Sequence, residues 1–383
     1  MALTFPEEEY ARRVAAVQAE LGRQDLDAIM VTGPENICYL SGFWTPGYHV
    51  FQAMVVRRQG EPFLVIRNIE ADNVRANSWI ARFHEIDNLD RALPIFMEAM
   101  RAEGLTSGRV GVEVDGARQS ITRTDLLAEG LPAITWVPST DLVDRFRAVK
   151  SEGEIALIRK AVAIAEQAIL AGADSLTTAA TDSDVAGAVH ARLAALGSEF
   201  TGSPSYIVGG AASARTHALH ANRPLAPTDQ VWLEVSASLQ RYHGVASRIA
   251  ARELTAAARD HFAISAEAVQ AMISTMRPGI AAGVVDAAGR AVVEKYGVRH
   301  LWKNRAAYSL GLSFPPGLGE GHIIDIKPND PRLLEAGMTF HMIPILKVPG
   351  LGAIGCTETV VVREGGGERL GTLPMEPLAP GGR

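Results

Sequence analysis

The sequence predicts a two-domain chain, an α/β domain followed by an α+β domain, on three observations. Its 383 residues exceed the roughly 100–200 that one domain usually holds. Strand-like and helical patterns alternate through the first third, the signature of an α/β layer domain. From about residue 145 helices and strands come in blocks instead, which is the α+β arrangement. The boundary is therefore placed so that the domains cover 1–144 and 145–383.

Each element has its own reason. Residues 7–21 carry apolar side chains at helical spacing among charges, and LDAIMVTG then reads as a short buried strand. AMVVRR and PFLVIR read as strands separated by the turn RQGEP; RVGVEVD is another strand, and ITRTDLLAEGL is helical. In the second domain KSEGEIALIRKAVAIAEQAILAGA is a long amphipathic helix opening on Ser151, with Glu154 placed to complete a capping box. TDSDVAGAVHARLAALG is a second helix, capped by Thr181 or Ser183. QVWLEVSAS and QRYHGVASRIA are strands close enough to pair, and helices are expected over roughly 256–276 and 282–296. TFHMIPILKV and AIGCTETVVVRE close the chain as an antiparallel pair, and PMEPLAPGGR reads as a loose tail.

Composition narrows the function classes. Hydrophobic residues make up 47% and charged residues 21%, an ordinary globular balance. The formal net charge is -6 without a basic run, so a nucleic-acid partner is not expected. The N-terminus lacks the basic-then-apolar order of a signal peptide, and no apolar run reaches the roughly 18 residues of a bilayer span. A soluble, cytoplasmic protein with no membrane partner is the expectation. Cys38 and Cys356 lie far apart without a CxxC partner, so neither a disulfide framework nor a zinc ribbon can be built from them.

Several segments, in order, are similar to the creatinase/aminopeptidase P/prolidase superfamily. ENICYLSGF resembles a motif of its N-terminal domain in which a strand leads into a loop near the active site. LVDRFRAVKSEGEIALIRKA resembles the linker and first helix of the family's pita-bread domain. His217, followed twelve residues later by Asp229 and then by VWLEVSAS, resembles the segment leading into the first metal-ligand strand. LLEAGMTFHMIP and GCTETVVV resemble the two closing strands. The resemblance implies a creatinase-like N-terminal domain, a pita-bread catalytic domain and a homodimer.

It also implies a ligand set that can be checked residue by residue. Metal-dependent relatives hold two ions with two Asp, one His and two Glu, donors suited to hard or borderline cations. The first Asp falls at Glu234, the second at Val245, the His at Tyr308 or Ser309, the first Glu at Ile343, and only the last Glu is kept, as Glu358. Valine and isoleucine cannot ligate, so no two-metal centre and no cofactor are expected. A single ion held by Glu234, Glu358 and His243 or His341 is the alternative.

Creatinase and ectoine hydrolase resemble this sequence in lacking the full set, and both hydrolyse C–N bonds of small polar solutes. The ectoine hydrolase likeness lies in Arg215-Thr216-His217, Glu234, Arg241-Tyr242-His243 and the run from Tyr308 to Pro316; GFWTPGYHVFQ departs from it. The expectation is a metal-independent C–N hydrolase acting on a small-molecule substrate. Alternatives are a single-ion Xaa-Pro peptidase or lyase, and a non-catalytic binding module.

Glu234, mid-strand between apolar neighbours, is the candidate nucleophile or general base, since burial would raise its pKa; a structural ion pair with Arg248 or Arg241 is the competing reading. His217 is the candidate proton carrier, preferred over His220 by its spacing to Asp229. Glu358 is the candidate acceptor for a substrate cation. His243 and His341 each stand two residues before a vacated ligand position, on the same strand face. Arg248 and Tyr308 are candidate substrate contacts. Tyr48, His49 and Gln52 belong to the loop that, in creatinase-like dimers, reaches into the partner's active site.

Overall fold

The computed structural model describes residues 3–114 and 123–381. It divides into two compact units, Met1–Arg147 and Ala148–Arg383.

The first unit has the order α1 (Glu7–Arg23), β1 (Ala28–Val31), α2 (Pro34–Ser41), β2 (Ala53–Arg57), β3 (Phe63–Arg67), α3 (Ala71–Asn77), β4 (Phe83–Ile86), α4 (Ala92–Ala102), β5 (Gly108–Val112), α5 (Thr124–Gly130), β6 (Ile134–Pro138) and α6 (Asp141–Arg147). Its mixed sheet has the order β4-β3-β2-β1-β5-β6. β1 and β2 are buried at every apolar position, as expected of strands covered on both faces. ENICYLSGF, expected to run from strand to loop, is instead the helix α2. Pro34 stands where a missing N–H costs nothing, and Gly42 (φ 78°) ends the helix in the left-handed conformation. The unit ends at the close of α6 rather than within it, where the sequence reading had put the boundary.

The second unit has the order α7 (Glu152–Ser175), α8 (Asp182–Ala195), β7 (Tyr206–Gly209), β8 (Val231–Leu239), β9 (Tyr242–Ala250), α9 (Ala256–Thr275), α10 (Ala282–Lys295), β10 (Ala307–Ser309), β11 (Asp325–Ile326), β12 (Thr339–Met342), β13 (Leu346–Val348), β14 (Gly352–Ile354), β15 (Glu358–Arg363) and β16 (Gly366–Arg369). Its sheets are β7-β8-β9, β11-β10-β12-β15-β16 and the hairpin β13-β14, all antiparallel. A backbone bridge between Ser247 and Thr357 links the first two. α7 and α8 bury an apolar face against β8 and β9. α9 and α10 do the same beneath β10, β12 and β15. The two halves repeat one plan, a helix pair and then antiparallel strands, although nothing in the residues suggested a repeat.

Local chemistry explains the elements that position the site. Ser151 accepts from the Glu154 N–H, and the Glu154 carboxylate accepts from the Ser151 N–H, so the expected capping box opens α7. Thr181, not Ser183, caps α8. α7 lies so close over β9 that a Cβ on Gly244 would fall 2.1 Å from the Val162 nitrogen. β8 turns into β9 through Gln240 and Arg241, both at positive φ (50° and 66°), the backbone that closes a tight hairpin. Arg241 is held there between the Phe200 and Phe314 rings.

The closing strands differ from expectation. TFHMIPILKV and AIGCTETVVVRE do pair, His341 opposite Thr359 and Met342 opposite Glu358. Each run is broken, however: Pro344 offers no N–H to a ladder, and a Cβ on Gly355 would meet the Ser265 hydroxyl at 2.8 Å. The pieces beyond these breaks form the separate hairpin β13-β14. The tail is not loose either, because Leu378 pairs with β9, its N–H reaching the Ile249 carbonyl at 2.9 Å.

Candidate active site

A cavity of about 860 Å³ opens in the second unit, walled by β7, β8, the His217 loop, the 303–308 segment, the 316–319 loop and the β12–β14 region. Glu234 lies on its wall, because strand alternation on β8 sends Leu233 and Val235 into the helix-covered core and Trp232 and Glu234 the other way. The Trp232 indole N–H donates to Glu234 at 3.2 Å. No cation pairs with Glu234 among the described residues, and burial pushes its carboxyl up to about 7.

The competing reading of Glu234, an ion pair with Arg248 or Arg241, fails on pleat geometry. Arg248 stands opposite Leu233 in the ladder, on the other face of the sheet. Arg241 donates to the Phe200 and Ser313 carbonyls.

Tyr206 on β7 stands directly opposite Glu234. His217 stacks on Tyr206, centroids 5.5 Å apart and planes 25° from parallel. The backbone at His217 is left-handed (φ 59°), uncommon for a side-chain-bearing residue, and the imidazole is exposed on the cavity wall. His220 does not line the cavity; its ring meets His190 edge-on. Sequence spacing thus selected the histidine that shares the cavity with Glu234.

Tyr308 also lines the cavity, and its hydroxyl lies 2.8 Å from His341 Nδ1. His341 Nε2 lies 2.8 Å from the Thr357 hydroxyl. Burial, and then the Glu234 charge, hold the Tyr308 phenol in its protonated form. Burial, and then the Arg305 charge, lower His341 to about 3. His341 is therefore a neutral, buried support for Tyr308 rather than a wall residue.

Three expectations are corrected. Glu358 is fully buried and faces away from His341 and Thr357, because it shares the Met342 face of the β12–β15 ladder. Its Oε1 takes Arg248 at 2.5 Å and Arg369 at 2.9 Å. Arg248 is spent on that pair and on the Leu373 and Pro374 carbonyls. His243 is a core histidine outside the cavity wall. Its Nε2 accepts from the Gly202 N–H at 2.9 Å, and burial, helped by Arg241, lowers it to about 3.

Tyr48 and His49 meet edge-on in a turn of the first unit, and Gln52 is buried (6%), which leaves the first two accessible. The sequence reading missed Trp232 and Tyr206, legible only through alternation and cross-strand register. It also missed the cations Lys303, Arg305 and Lys347 on the cavity wall.

The donor set does not fit a metal centre. Val245 and Ile343 offer no ligand, Glu358 is turned away and paired, and both nitrogens of His341 are engaged. Among the described residues no group of three or more His, Cys, Asp or Glu converges on a point.

The sequence matches the family model for the creatinase/prolidase N-terminal domain over residues 13–149 and that for metallopeptidase family M24 over residues 156–364. The chain belongs to metallopeptidase family M24. Its two units correspond to the creatinase N-terminal domain and the pita-bread domain, and the family is one of hydrolases and peptidases. The chain is 26% identical to the ectoine hydrolase of Halomonas elongata over 396 residues, covering 98% of each. It is 27% identical to an uncharacterized hydrolase/peptidase of Sinorhizobium fredii over 390 residues, again covering 98% of each. The prolidase of Pyrococcus horikoshii superposes with a TM-score of 0.82 at 20% identity, over 95% of this chain and 99% of that one. The X-Pro aminopeptidase of Thermotoga maritima gives 0.82 at 18% identity, over 96% and 99%. These two likenesses establish the fold. Among the described residues no helix is long and apolar enough to cross a membrane.

Proposed function

We propose that this M24 hydrolase cleaves a C–N bond in a small polar solute, a cyclic amidine, guanidino acid or related amide, without a metal. The observation that carries the reading is Glu234, a carboxylate on the cavity wall with no ion-pair partner among the described residues and a pKa raised to about 7. Glu358, by contrast, is paired with two guanidinium groups. A carboxylate left alone and tuned to neutral pH is suited to taking a proton from water or to attacking carbon itself. The likeness to an ectoine hydrolase over nearly the whole chain supports the same class of substrate.

In the water-mediated form, Glu234 accepts a proton as water oxygen bonds to the sp² carbon, and His217 delivers a proton to the nitrogen as the C–N bond breaks. Tyr308, protonated and fixed by His341, donates a hydrogen bond to the heteroatom that gains charge. In the direct form the Glu234 oxygen bonds to carbon, the C–N bond breaks as His217 protonates the departing nitrogen, and water then hydrolyses the Glu234–carbon linkage, returning the carboxylate. A homodimer in which a second copy presents Tyr48 and His49 is part of the reading.

The test is turnover of cyclic amidines, guanidino acids and lactams by chelator-treated protein, with elemental analysis of the same sample. Turnover without bound metal, lost in Glu234→Gln, is the expected result. Stoichiometric metal required for activity would favour a single-ion peptidase or lyase and end this reading.

A further inference from the structure

The cavity is electrically lopsided. Arg215, Lys303, Arg305 and Lys347 line it, and Glu234 is the one acidic residue on its wall among the described residues. Two of these cations are already engaged. Arg305 lies 3.7 Å from Asp325 and covers the Tyr308 ring at 4.7 Å. Arg215 is exposed, its guanidinium turned back toward the Ala212 carbonyl.

Lys303 and Lys347 are different, having no ion-pair partner among the described residues. Lys347 is half-buried at the centre of β13, opposite Ala353, and its ammonium donates to the Thr216 hydroxyl next to His217. Lys303 lies in a segment held firmly on both sides. Arg290 covers the Trp302 ring at 4.2 Å and donates to the Asn304 carbonyl at 2.7 Å, and the Asn304 amide reaches the Ile343 carbonyl at 3.5 Å. That last contact ties the segment to the chain leading into β13. Lys303 itself is exposed, and burial of Lys347, followed by the charge of Lys303, lowers the Lys347 pKa.

Placing like charges together on a cavity wall is unfavourable unless something bound there neutralises them. We infer that Lys303 and Lys347, with the Thr216 hydroxyl, seat a carboxylate of the substrate, so that the solute is held by its anionic end with its C–N group toward Glu234. This rests on the proposed reading of the cavity as the active site and names its substrate class, a small acid. A carboxylate fits better than a phosphate. A phosphate dianion would be repelled more strongly than a carboxylate by Glu234 once ionised.

The test is binding rather than turnover. Pyroglutamate and pyroglutamamide, and guanidinoacetate and guanidinoacetamide, differ within each pair by one negative charge. They are titrated by ligand-observed NMR against the full-length protein. The acids are expected to bind about tenfold or more tightly than their amides, the value of one charge-assisted hydrogen bond. The preference falls to near one in Lys303→Gln/Lys347→Gln and persists in Lys347→Arg, with melting temperature unchanged as the folding control.

Equal binding of acid and amide, binding of neither, or a preference that survives in the double variant would overturn the assignment. Inorganic phosphate competing as well as the acids would overturn the choice of carboxylate. The outcome separates from that of the catalytic reading. Acid preference without hydrolysis leaves the seat standing and sinks the proposed reaction. Hydrolysis without acid preference does the reverse.

Discussion

Glu234 and Glu358 both sit in strands of the pita-bread unit at positions that resemble family metal ligands, yet they have opposite surroundings. Glu358 is locked between Arg248 and Arg369, with no exposed surface. Glu234 meets one indole N–H and a cavity, and its pKa rises to about 7. The contrast teaches that pleat direction, more than residue type, sorts a carboxylate into structure or chemistry. One residue's slip along β8 would turn Glu234 from the cavity into the helix-covered core.

Each prediction tests that contrast. The largest effect is expected from Glu234→Gln, which should lower kcat by about 10³-fold or more while the fold is retained, as removal of a general base does. Full turnover in that variant would erase the distinction. Glu358→Gln should instead act on stability, costing about 3–5 kcal/mol by stripping the buried Arg248 guanidinium, and the half-buried Arg369, of their carboxylate partner. It would be read in the urea midpoint, and a change in kcat without one would contradict the assignment.

The third test is pH. A carboxyl with a folded pKa raised from 4.5 to about 7 gives stability that is complete below 4.5 and lost as pH rises through 7. Glu234→Gln should therefore unfold at higher temperature than the parent at pH 8 and not at pH 4, a difference on the order of 2–3 kcal/mol. His243 and His341, lowered from 6.5 to about 3, act oppositely. Their contribution is present above 6.5 and is lost as pH falls toward 3. Thermal stability is thus expected to peak between these limits, and a curve flat from pH 4 to 8 would contradict both assignments.

His217→Ala should reduce kcat/KM by about 10–100-fold with no change in melting temperature, since the ring is exposed and only stacks on Tyr206. The smallest effect is Tyr308→Phe on stability, about 1 kcal/mol from the hydrogen bond to His341. Its effect on kcat should be larger than that on KM if the hydroxyl meets charge that develops in the transition state.

Much of the fold was legible because its signals are local. The capping box at Ser151, the period-2 run of β8 and the Lys-Ser-x-x-Glu core of the α7 start are all readable within a few residues. The helix α2 was missed because the family likeness of ENICYLSGF outweighed the plain signals of Pro34 and Gly42. The β12–β13 break lies at Pro344, a residue without an N–H inside the run expected as one strand. Apolar neighbours and family position singled out Glu234, and family spacing to Asp229 singled out His217; both line one cavity. Glu358 was misjudged because its family position was read without its strand face.

By itself the sequence determined the two-unit plan and the presence of a carboxylate in an apolar strand. Those follow from composition and short-range pattern. Only the tertiary structure decided that Arg248 pairs with Glu358 and leaves Glu234 without a cation. It also decided that His341 supports Tyr308, and that Lys303 and Lys347 share one wall. These depend on register and on which face a side chain takes across strands more than 100 residues apart in sequence, as Arg248 and Glu358 are. No local propensity encodes that distance.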